Sequence, residues 1–345
     1  MKPRHCRTPP SGGRLHRSSP PSLLWQRRGA AGFLLLLLAV AFPALASSKQ
    51  LSLQVDAAGE GDHRSVQAAI DAVVAAAQPA IIHIHAGEYR EVVDIPANAP
   101  AIELVGDDAA TTRIVAGHYA SLLNPATGKE FGTFGSATVF VRSDDFRASG
   151  LTFANDAGRV GQAVALVVTG TRAAFRDVRF IGNQDTLYLQ GQNTLAWFDD
   201  CYIEGTVDFI FGAGTALFEH CRIHSLGDGY VTAAATPQGR NFGYVFNNCQ
   251  LTAAAGVNQV YLGRPWRPYA KVAFINSELG PHVLPQGWHD WGKSTNQTTA
   301  DYAEYNNHGA GAEREQRVPW SRVLPPDEAH GYTRQAVLGD WRPYQ

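Results

Sequence analysis

The chain has few cysteines, four in 345 residues, and few basic residues once its first 46 positions are set aside. Those positions hold Lys2, Arg4, Arg7, Arg14, Arg17, Arg27 and Arg28 and no acid; removing these seven from 29 leaves 22 basic against 31 acidic residues, a net of −9. That balance excludes nucleic acid as a partner and argues against tight binding of a fully charged polyanion. It leaves room for an uncharged or esterified polymer. The apolar run from Ala30 to Phe42 is 13 residues, short of the ~20 that a membrane-spanning helix needs. It follows the basic segment and precedes Pro43-Ala44-Leu45-Ala46-Ser47, a small-residue cleavage pattern, so residues 1–46 read as a signal peptide and 47–345 as a single domain. The protein is expected to be exported, secreted or periplasmic, with no stable membrane anchor. Cys6 would leave with the leader, and the spacing of Cys201, Cys221 and Cys249 does not suit zinc. No dense aspartate cluster suggests calcium, and no metal or cofactor is expected.

Long helical patterns between strands are also missing, which excludes a β/α barrel. One amphipathic helix is predicted near the start, where Val66, Ala69, Ile70 and Val73 share a face and Ser65 can cap it. From Phe146 a short pattern recurs, with Phe, then a small or medium residue three positions on, then an apolar residue. Its copies start at Phe146, Phe175, Phe198, Phe218, Phe246 and Phe274, spaced by 29, 23, 20, 28 and 28 residues. A constant strand with loops of variable length fits an all-β solenoid, a parallel β-helix. The irregular C-terminal stretch is expected to pack back on it as loops and a short helix.

The segment Gly205–Gly212 (GTVDFIFG) holds one acid in an apolar, aromatic run, and a carboxylate there needs something to hold its charge. Asp185 lies 23 positions upstream of Asp208, and Gln162 lies 22 upstream of Gln184. Rungs of a parallel sheet are about 4.8 Å apart, so the four side chains fall on three successive rungs. Asp208 could serve as nucleophile or base, Asp185 as a proton donor beside a like charge, and the glutamines as donors to an oxyanion. A ladder that only stabilises turns is the competing reading; both acids lying within apolar strands argues against it. Arg264, 56 residues beyond Asp208, can reach back across the small rung Val231–Ala235. Tyr188, Phe211 and Trp266 are candidates to stack on sugar rings, while alternation sends Phe209 to the core. Cys201 and Cys221 occupy equivalent places and are expected to pair as a disulfide, although Cys249 stacks there too.

The blocks GTVDFIFG, QDTLY (Gln184–Tyr188), QAVAL (Gln162–Leu166) and LGRPW (Leu262–Trp266) resemble the signature blocks of pectin methylesterases. The likeness runs from Val66 to Trp341, and Gly212–Phe218 and the chain's ending resemble the bacterial branch more than the plant one. The resemblance implies a right-handed β-helix, no metal, Asp208 as nucleophile, and Asp185 as acid and then base. It also implies Gln162 and Gln184 at the oxyanion, Arg264 orienting Asp208, and Tyr188, Phe211 and Trp266 lining subsites. Methyl-esterified pectin and water would be the substrates of a monomeric enzyme. Two residues more than the family pattern between the acids are expected in the loop Gln190–Thr194, beside the groove. The runners-up are another pectin-active β-helix enzyme and a non-catalytic carbohydrate-binding solenoid. A glycoside hydrolase needs a differently spaced acid pair, and a binder has no use for Asp185, Asp208 and Arg264 together.

Overall fold

A computed structural model describes residues 50–344; the expected signal peptide lies outside them. Each strand pairs in parallel with its counterpart one turn of chain later, as in Leu51↔Ala80 and then Ala80↔Ile102, and the winding is the parallel β-helix that the repeat predicts. The helix forms at Val66–Ala76 and buries Val66, Ala69, Ile70 and Val73 against the first strands. Its first-turn donors are all met: Ser65 Oγ accepts from Ala68 N at 3.3 Å, and the Glu91 carboxylate accepts from Val66 N and Gln67 N at 2.8 and 3.0 Å.

Inside the coil, Phe175, Phe198, Phe218, Phe246 and Phe274 occupy one position on successive turns. Their neighbouring centroids are 4.8, 4.6, 4.4 and 4.4 Å apart. The first copy of the repeat is displaced from the sequence reading, because Phe175 pairs with Ala148 rather than Phe146. What aligns across all copies is a left-handed corner two residues later: Gly150, Asp177, Asp200, His220, Asn248 and Asn276 have φ between 51° and 64°. Only Gly, Asn, Asp and a few others tolerate that region, so the corner residue fixes the register and the phenylalanine follows.

Directly after three of these corners come Cys201, Cys221 and Cys249, all buried and all free. The expected Cys201–Cys221 disulfide is therefore not present. Successive rungs hold the Cα–Cβ bonds parallel at the strand spacing, whereas a disulfide needs Cβ atoms at about 3.8 Å. Each thiol donates to a carbonyl instead, Cys201 to Asp199 O at 3.4 Å, Cys221 to Glu219 O at 3.3 Å and Cys249 to Phe218 O at 3.4 Å.

The C-terminal segment packs back as expected. Short helices at Pro326–Ala329 and Arg334–Leu338 bury Leu338 and Val337 beside Trp197 and Leu217. Arg334 Nε donates to the buried carboxylate of Glu219 at 2.7 Å, which also accepts from Trp197 Nε1 at 2.6 Å. No helix among the described residues is long and apolar enough to cross a membrane.

Candidate active site

The polar residues meet because the register brings them together. Gln162 and Gln184 form a parallel bridge. One rung on, the pairing Leu187↔Ile210 sets Asp185, two residues before Leu187, beside Asp208, two before Ile210, and Asp185 N donates to Val207 O at 3.1 Å. Both acids are only 7% exposed.

The local backbone differs from the sequence reading in one respect. Asp185 sits in a turn just ahead of strand Leu187–Leu189, not within a strand, while Asp208 lies inside Tyr202–Gly212. Both have left-handed backbones, φ 68° at Asp185 and 52° at Asp208. The pairing of Tyr202–Gly212 with Arg222–Ala234 slips between Val207 and Ile210, so the strand bulges at Asp208. Such conformations cost of order 1–3 kcal/mol each and persist only where the surroundings impose them. Phe209, next in the chain, is fully buried in the core.

Arg264 N donates to Thr232 O, anchoring the strand end, and the side chain crosses this rung to Asp208. Nε meets Oδ1 at 2.9 Å and Nη2 meets Oδ2 at 2.7 Å, a bidentate fork. Burial pushes the Asp208 carboxyl upward and this fork opposes it. Asp185 has no such fork. Burial first, and the charge of Asp208 second, push it up to about 8, with Arg264 pulling the other way. The Arg264 fork favours charge on Asp208, while nothing comparable offsets burial at Asp185, so the two neighbouring carboxyls differ in proton affinity.

The two acids, both glutamines, Arg264 and Trp266 line a cavity of about 330 Å³. Phe211 lines it as well, but Tyr188 does not; its ring is 4% exposed and sandwiched between Phe134 and Phe211, at 5.1 and 4.3 Å. Three wall residues escaped the sequence reading: Thr133, Phe134 and Trp291. The first two belong to the short helix Gly132–Gly135, which no periodicity marks, and Trp291 stood in a stretch read as a cap. The loop Gln190–Thr194 is not beside this cavity either. Arg240 holds it, donating to Gln192 O and Asn193 Oδ1 at 2.7 Å each, and Asn193 and Thr194 line a separate cavity with Leu338.

A forked carboxylate, a second carboxyl of raised pKa beside it and two amides, in a groove on a β-helix, make an acid–base site of the kind ester hydrolysis uses. The Pectinesterase family profile matches residues 52–340, and the chain belongs to that family. Pectinesterase 31 of Arabidopsis thaliana is 40% identical over 300 residues, covering 85% of this chain and 93% of that protein. Among solved structures, the pectin methylesterase from carrot superposes with a TM-score of 0.76 at 33% identity, over 85% of this chain and 94% of its own. A pectin methylesterase variant in complex with a hexasaccharide superposes at 0.75 and 31% identity, over 85% and 98%. The fold is the right-handed parallel β-helix of these enzymes. The expected affinity to the bacterial branch is not supported, since the curated relatives are plant enzymes.

Proposed function

We propose that this pectinesterase removes methyl esters from the galacturonate units of pectin, with Asp208 as nucleophile. The observation that carries this reading is Asp208, forked by Arg264, one rung from Asp185, whose carboxyl burial pushes up to about 8. An Asp208 oxygen attacks the ester carbonyl, and the amides of Gln162 and Gln184 donate to the oxyanion that develops. As the intermediate collapses, the carbonyl–OCH3 bond breaks and Asp185 gives its proton to the departing methanol. The product is an anhydride between Asp208 and the sugar carboxyl. Asp185, now charged, takes a proton from water, which attacks the anhydride and frees both carboxylates. In this reading Trp266, and the exposed edge of Phe211 backed by Tyr188, meet sugar rings beside the acids; that Phe211 and Trp266 line the same cavity supports it.

The enzyme acts, in this reading, as an exported monomer after loss of residues 1–46, on methyl-esterified homogalacturonan. The hexasaccharide bound by a related methylesterase supports a linear oligosaccharide along the groove. Methanol release from pectin by the wild type and by Asp208→Asn tests the assignment. The amide keeps the shape and removes the attacking charge, so activity should fall at least ~1,000-fold. A variant near wild type would remove Asp208 from its role.

A further inference from the structure

A fork of two hydrogen bonds sets a carboxylate's direction only when the guanidinium plane is itself fixed. The rung that the Arg264 side chain crosses, Thr232 to Ala234, has small side chains that give it room but no grip. The grip comes from two aromatic faces. The Arg264 guanidinium carbon lies 3.8 Å from the ring centroid of Tyr230 and 3.8 Å from that of Trp291. Tyr230 is backed by Tyr261, with centroids 5.2 Å apart and planes within 10°. His289 leans on both tyrosines, at 5.6 and 5.4 Å, and its Nδ1 accepts the Trp291 backbone N–H at 3.0 Å. The two jaws therefore share one support.

We propose that Tyr230 is a positioning residue for ester hydrolysis, its ring and that of Trp291 clamping Arg264 flat so that the fork points Asp208 at the ester carbonyl. The inference rests on Asp208 being the nucleophile. Tyr230 does not line the cavity, whereas Trp291 does, so a change at Tyr230 reads positioning apart from substrate contact. The charged and titratable groups facing the clamp are Asp208 and Asp185 on the cavity side and Tyr261 and His289 on the other. Burial works against the charge on Asp208, and Arg264 opposes burial. A guanidinium free to tilt opposes it less, so Asp208 takes up its proton at a higher pH and the acid limb of the rate profile moves upward.

The experiment measures kcat and KM for methanol release from pectin across acid and neutral pH for wild type, Asp208→Asn, Tyr230→Leu and Tyr230→Phe. With a cation–π contact of one to two kcal/mol lost, Tyr230→Leu should show kcat about tenfold lower and KM within about twofold of wild type, and its acid limb should sit at higher pH. Tyr230→Phe keeps the aromatic face and should recover most of kcat and the wild-type limb. The clamp is overturned if Tyr230→Leu keeps kcat within about twofold, loses kcat with the limb unmoved, or is matched by Tyr230→Phe. If Tyr230→Leu does not fold, Trp291→Leu against Trp291→Phe decides on the limb alone, and an unmoved limb overturns the clamp. An inactive Asp208→Asn beside an unaffected Tyr230→Leu would sink the clamp and leave the nucleophile standing. An active Asp208→Asn would take both.

Discussion

Two regions of the β-helix are built by the same turns of chain and obey opposite rules. Inside, five phenylalanines stack at 4.4 to 4.8 Å. In the groove, the same rungs hold two carboxyls side by side, both nearly buried and both on left-handed backbone. The interior stacks ring on ring and so supplies stability and register. The groove violates several local preferences at once and depends on the interior to hold it. Neighbouring carboxyls in low dielectric and strained backbone persist there because stacking elsewhere leaves the strands no other register.

The comparison can be broken at either end. The largest effect is expected inside: Phe218→Ala removes a ring touching Phe198 and Phe246 and should cost about 3–5 kcal/mol, read as a lower midpoint of chemical unfolding. If the interior acts only by holding register, the folded variant should keep kcat within about twofold. A large loss of kcat with unchanged stability would mean that the two regions are not separable in this way.

A smaller effect of opposite sign is expected in the groove. Asp185 is raised from 3.8 to about 8, so the native state binds more protons than the unfolded one between those values. Stability from this group is therefore present at low pH and lost as pH rises through that window. Asp185→Asn has no charge to bury and should be more stable than wild type above pH 8 by about 1–3 kcal/mol, with the gain vanishing at low pH, while methanol release collapses. Urea unfolding at alkaline and acid pH measures both arms. A variant less stable than wild type at alkaline pH would show that the charged pair is not a cost.

The smallest effect concerns the thiols. A disulfide closing the 20-residue span from Cys201 to Cys221 would be worth about 3 kcal/mol. With three free thiols, a reductant should move the thermal midpoint by less than about 1 °C. A drop of several degrees would restore the bridge.

Much of this was legible before any coordinates. The helix face at Val66, Ala69, Ile70 and Val73, the parallel solenoid, and the meeting of Gln162, Gln184, Asp185, Asp208 and Arg264 all follow from spacing, because an in-register solenoid turns sequence period into contact. What spacing did not give was any feature outside the period. Phe134 comes from a four-residue helix and Trp291 from an irregular loop, and the clamp partner Tyr230 stands in a strand whose periodicity says nothing of the arginine on the next rung. The first repeat was misplaced because Phe146 looks like the other phenylalanines, while the conformational marker is Gly150.

By itself the sequence determined the coil, its approximate period and the residues that period aligns, because side-chain alternation and left-handed corners are local properties of the chain. Only the tertiary structure decided which aligned residues interact and how. It left three stacked cysteines unbridged because parallel Cβ vectors do not converge. It gave Asp208 a fork and Asp185 none, so that two identical, equally buried side chains sit in unlike electrostatic surroundings.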